Sequence, residues 1–175
     1  MNDTTTRAAS PFWNFSLRLY GRPGVPPACL ALQDSAGLDV NVLLFCLFAA
    51  WSGRALAPAD AARLLETTGP WKDGAVVNLR RARVYLREPA PFIDVAEAAA
   101  LRQRVKALEL EAERLQQEGL YAAFPATALG APSRSAESAA RDNAAALQRA
   151  MGVTFDQGAL GVILAAFDSL GDRQS

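Results

Sequence analysis

Apolar residues recur along this chain at helical spacing. The densest region is Trp13 to Trp51, where two apolar helical patterns flank a polar insert, Gln33-Asp34-Ser35-Ala36-Gly37-Leu38-Asp39-Val40-Asn41. Ser10-Pro11 predicts a helix start, because Ser caps free N–H groups and Pro suits the first helical position. The first helix carries Phe12, Trp13, Phe15, Leu17, Leu19 and Tyr20, and stops at Gly21 and the Arg22-Pro23-Gly24 turn. Pro26-Pro27 starts a second helix to Ser35, closed by Gly37. Asp39 predicts the N-cap of a third, residues 40–52, apolar nearly all round and therefore expected at the centre of the fold, with Leu43, Leu44 and Leu47 among the most buried residues.

The pattern continues beyond Gly53. Pro58 opens a short helix over 59–66, and Gly69-Pro70 is expected to break the chain. A fifth helix is expected over 70–87, ending before Pro89. The longest runs from Pro91 or Asp94 to residues 120–123. Its Leu101, Val105, Leu108, Ala112, Leu115 and Gly119 form an a/d stripe expected to pack against other helices. Residues 125–133, rich in Ala, Pro, Gly and Ser, read as a mobile loop. Two further helices follow, from Ser135 to Met151 and from Gly158 to Leu170. Strand signals are weak and there is no internal repeat. The expected fold is all-α: a single-domain bundle of seven to eight helices over 10–170, with tails at 1–9 and 171–175.

Composition narrows the chemistry. The 175 residues are 51% hydrophobic, enough for a real core. Lys+Arg and Asp+Glu are 18 each, a balance that argues against nucleic acid as a partner. The longest apolar run, Val42 to Trp51, is about half of the roughly 20 residues a membrane span needs. The polar N-terminus has no apolar signal core, so a cytoplasmic location is expected. Histidine is absent, which removes imidazole acid–base work, Ser-His-Asp and Cys-His catalysis and the common zinc sites. Cys29 and Cys46 lie in apolar helical stretches without a CxxC motif, and read as small buried hydrophobes rather than redox or metal groups. No catalytic residue, metal or cofactor is assigned.

Two constellations stand out. At the junction, Asp34 and Asp39, helped by Gln33 or Asn41, have the oxygen chemistry for Mg²⁺ or Ca²⁺. The alternative is helix punctuation, with Asp39 as a cap and the others bonded locally or to an arginine. Arg80, Arg83 and Arg87 follow i, i+3, i+7 spacing, with Arg81 beside them, and suit a phosphate or carboxylate. The alternative is a solvated face or pairing with Glu109, Glu111 and Glu113. Because carboxylates beside an apolar helix need partners, Asp34 or Asp39 is expected within salt-bridge reach of Arg80 or Arg83. Trp13, Trp51 and Trp71 read as core or edge anchors.

W-x-F-S-L-x-x-Y at Trp13–Tyr20, P-G-V at 23–25, A-C-L-x-L-Q-D at 28–34 and L-D-V-N-x-L-L-F at 38–45 resemble a family of small proteobacterial proteins catalogued only as a domain of unknown function. Trp71 with V-V-x-L-R-x-x-R to Arg83, and E-L-x-A-E at 109–113, extend the resemblance over roughly Phe12 to Leu120. It implies a bacterial, single-domain, soluble protein and assigns no functional residue. Two functional expectations follow. The first is a non-enzymatic accessory or protein-interaction module with a protein partner. The second is binding or processing of an anionic small molecule at Gln33, Asp34, Asp39, Asn41, Arg80 and Arg83.

Overall fold

The computed structural model describes residues 9–125 and 128–171, so the expected tails at 1–9 and 171–175, apart from Ala9 and Gly171, and part of the 125–133 loop lie outside the described residues. The described residues form an all-α bundle with one two-strand ladder. Its helices are α1 (Pro11–Tyr20), α2 (Val25–Ala36), α3 (Val40–Trp51), α4 (Pro58–Trp71), α5 (Val77–Tyr85), α6 (Val95–Ala123), α7 (Ala136–Met151) and α8 (Gln157–Asp168). Side-chain caps start most of them. Ser10 accepts from Trp13 N–H, Asp94 from Glu97, Ser135 from Ser138 and Asp156 from Ala159. No helix among the described residues is long and apolar enough to cross a membrane.

Helix α3 is the centre. Every residue from Asn41 to Ala50 is buried, including Leu43, Leu44 and Leu47. It packs most extensively on α7, with α1, α4 and α6 around it. Phe12, Phe15, Phe45, Phe48 and Trp51 form a chain of ring contacts with centroids 5.0–6.2 Å apart, tying α1 to α3. Both cysteines are buried free thiols.

Fully buried Asn143 on α7 fastens the far end of α3. Its Nδ2 donates to the carbonyls of Cys46 and Arg54 at 2.8 and 3.0 Å, and its Oδ1 accepts from Leu56 N–H at 2.6 Å. Strand β1 (Arg54–Ala55) pairs antiparallel with β2 (Ala131–Pro132), a ladder that helical periodicity does not signal. Gly130 turns into it at φ +65°, and a Cβ there would collide with the Ala55 carbonyl.

Two expectations are corrected. Gly69-Pro70 does not break the chain. Helix α4 runs through Pro70 to Trp71, and a π-helical turn over Lys72–Val76 carries it into α5. Proline removes one helical N–H and crowds the preceding turn, and a wider turn is a known way for a helix to absorb such a defect. The leucine stripe of α6 is not its packed face. Leu101, Leu108 and Leu115 are exposed, while Ala98, Glu109, Ala112, Gln116, Gln117 and Leu120 are buried. The buried face of α6 is largely polar, and other elements supply hydrogen-bond partners for most of its polar atoms.

Candidate ligand-binding cleft

Gly37 closes α2 at φ +65°, its N–H bonded to the Gln33 carbonyl, and turns the chain toward α3. Asp39 caps α3, accepting at Oδ1 from Asn41 N–H at 3.0 Å. Its other oxygen accepts from Gln116 Nε2 at 2.6 Å. Asn41 Nδ2 donates to Gln116 Oε1, and Asn41 Oδ1 accepts from Gln117 Nε2, both at 2.8 Å. Asp39, Asn41, Gln116 and Gln117 are all buried, so these bonds form a water-shielded net joining α3 to α6. Burial pushes the Asp39 carboxyl up, opposed by the Gln116 bond, the charge of Lys72 and the backbone N–H bonds. Both Asp39 oxygens are therefore used as a cap and an amide acceptor. Among the described residues, no group of three or more Cys, Asp or Glu gathers as a metal site requires.

The arginine helix turns to α6. Arg80 Nε donates to Glu109 Oε1 and Arg80 Nη2 to Glu113 Oε1, each at 2.9 Å. Arg83 Nε bonds Glu109 Oε2, and its Nη2 reaches Glu109 Oε1 at 3.2 Å. The expected pairing of Asp34 or Asp39 with Arg80 or Arg83 is corrected: among the described residues neither aspartate forms a salt bridge. Glu109 and Glu113, one turn apart on α6, meet the arginines first, and Asp39 finds amide partners instead. Burial raises the Glu109 carboxyl, but the bonds from Arg83 and Arg80 outweigh it and hold it below the ordinary value. At Glu113 burial prevails, aided by the nearby Glu109 and Asp39 charges and opposed by Arg80, so its carboxyl is pushed up.

A cleft of about 750 Å³ opens beside this net. Trp13 and Leu17 of α1, Leu30 of α2, Val40 and Leu44 of α3, Val76 and Val77 at the π turn, and Leu110 of α6 give it mostly apolar walls. Gln33, Asp34, Asp39, Asn41 and Arg80 all border it; Arg83 does not. Gln33 and Asp34 stand there without a side-chain hydrogen bond among the described residues. Lys72 and Asp73, from the π turn, add charge.

Ser16, Glu113 and Gln117 also line the cleft, and none is singled out for a site by spacing in the sequence. Ser16 and Gln117 are 3% and 4% exposed, yet Ser16 Oγ and Gln117 Oε1 have no hydrogen-bond partner among the described residues. Buried polar atoms without partners are uncommon. The one hint in the sequence is the Gln116-Gln117 pair, set one and two turns beyond Glu113 and Glu109 on the long helix.

A family model described as "Protein of unknown function (DUF2390)" matches residues 11–120. No curated protein and no solved structure matches the chain.

Proposed function

We propose, for a chain that belongs to this family and takes no activity from its description, a non-enzymatic accessory module that works by binding an apolar organic ligand in the cleft between α1, α2, α3, α5 and α6. The observation that carries the reading is the cleft itself: about 750 Å³, apolar-walled, with a few convergent polar groups. Small-molecule sites run from roughly 300 to 1,000 Å³ and share this make-up. The π turn that forms one wall supports it, since such turns recur at functional sites. The non-enzymatic part rests on how the charged groups are used. Asp39 is bonded at both oxygens, and Arg80 is held by two carboxylates.

The anionic-ligand alternative asked Arg80 and Arg83 to be available. Arg80 reaches the cleft already paired, and Arg83 faces Glu109, so the apolar reading has the better support.

Calorimetric titration with 1-decanol tests the proposal, comparing the native chain with Leu30→Trp. Leu30 is 48% exposed on the cleft wall, so an indole there fills the cleft without disturbing the core. The native chain should bind, and the variant should bind at least about tenfold more weakly, with an unchanged thermal midpoint. No binding to the native chain, or equal binding to both, would overturn the reading.

A further inference from the structure

We propose that the cleft reads the head of its ligand and selects an amphiphile whose polar end is a cationic, hydrogen-bond-donating group such as a primary ammonium. This rests on the cleft being a ligand site.

The buried part of the lining carries unused acceptors, while its unused donors, on half-buried Gln33 and exposed Arg81, stand nearer solvent. Glu113 gives one carboxylate oxygen to Arg80, and its second makes no hydrogen bond among the described residues. Gln117 lies one helical turn further on the same face of α6, and its Oε1 is the buried carbonyl without a partner. Ser16 Oγ, from α1, lines the same cleft and is also unpaired. An ionised carboxylate and an amide carbonyl can only accept, while a hydroxyl can do either. A head with several N–H groups satisfies them together; a carboxylate or phosphate would set oxygen against oxygen.

Charge points the same way. Asp34, Asp39, Asp73 and Glu113 border the cleft, against Lys72, Arg80 and Arg81. Of those cations, Arg80 is held by Glu109 and Glu113, Lys72 Nζ donates to the Gly37 carbonyl at 3.3 Å, and Arg81 is solvent-exposed. A ligand cation beside Glu113 would also offset the burial that disfavours its ionised form. Charge-assisted N–H···O bonds are about twice as strong as neutral ones, so this head should be discriminated well.

The test holds the tail constant and varies the head, using calorimetry of the full chain near neutral pH with decylammonium, decyltrimethylammonium, decanoate and 1-decanol. Decylammonium should bind at least about tenfold tighter than either decyltrimethylammonium, which has charge but no N–H donor, or decanoate. In Glu113→Gln the decylammonium-to-decanoate preference should fall toward one. Ser16→Ala, which removes no protein hydrogen bond, should lower the same preference by a smaller factor. Decanoate binding as tightly as decylammonium, equal binding of the two cations, or a preference unchanged in Glu113→Gln would each overturn the inference. If all four compounds bind alike, the cleft reading survives and the head selection fails. If none binds, both fail.

Discussion

Asn41 is the hub of the net between α3 and α6, and Asn41→Ala tests whether that net holds the site together. The substitution keeps the backbone cap, because Asp39 bonds the Asn41 backbone N–H. It removes two side-chain bonds of 2.8 Å and leaves Gln116 Oε1 and Gln117 Nε2 buried without their partner. Orphaning a buried polar group costs about 1–3 kcal/mol. Two orphans, less up to about 0.7 kcal/mol for alanine's better helix propensity, give a loss of about 1.3–6 kcal/mol. Urea unfolding followed by circular dichroism reads this directly: the midpoint should fall at an unchanged slope. Gln117→Ala in the Asn41→Ala background should cost less than in the native chain, with a coupling of roughly 1 kcal/mol or more. A loss below about 0.5 kcal/mol for Asn41→Ala, or simple additivity, would show that the bonds are replaced readily and that the net does not organise the cleft.

Other consequences can be checked with the same assay. Leu47→Ala should cost about 3–5 kcal/mol, and more than Leu44→Ala, since Leu47 is enclosed while Leu44 borders the cleft; the reverse order would contradict the packing. Glu109→Gln should cost about 1–3 kcal/mol at neutral pH by weakening the bonds to Arg80 and Arg83. Because the folded Glu109 value is lowered, its contribution is present above the ordinary 4.5 and lost as pH falls through the folded value, so native and variant stabilities should converge in acid. Glu113 has the opposite sign. Its raised folded value gives stability that is present below 4.5 and lost as pH rises through that value, so Glu113→Gln should gain on the native chain over that rise. Burial pushes both cysteine thiols up to about 12, so an aromatic disulfide reagent at mildly alkaline pH should label neither until the chain unfolds.

Much of the fold was legible because its signals are local. Ser10, Gly37, Asp39, Asp94 and Ser135 mark helix ends through their own side chains or backbone freedom, and the unbroken apolar run after Asn41 can only be a central helix. The junction was legible as a place where polar groups need partners, but not as to which partners. Those lie some 75 residues away, as with Asn41 and Gln116. Hydrophobic periodicity assumes that buried means apolar, so it picked Leu101, Leu108 and Leu115 on α6 and passed over Glu109, Gln116 and Gln117. Pro70 misled for a related reason: proline's cost is local, but a π turn that absorbs it does not show in the residue types. Ser16 is silent in the sequence, since a helical serine most often bonds its own backbone.

The central claim is that the cleft bordered by Trp13, Leu30, Asn41, Val77 and Gln117 is where this protein meets its ligand. Amide chemical-shift mapping of the isotopically labelled chain during a 1-decanol titration tests it most directly. The account predicts saturable shifts at the Trp13 indole N–H and at the amides of Leu30, Gly37 to Asn41, Val77 and Gln117, with little change at Phe92 and Val95, which are exposed outside the cleft lining, in the connection before α6 and at its first residue. Shifts centred on Phe92 and Val95, or none at all below the solubility limit of the probe, would contradict it.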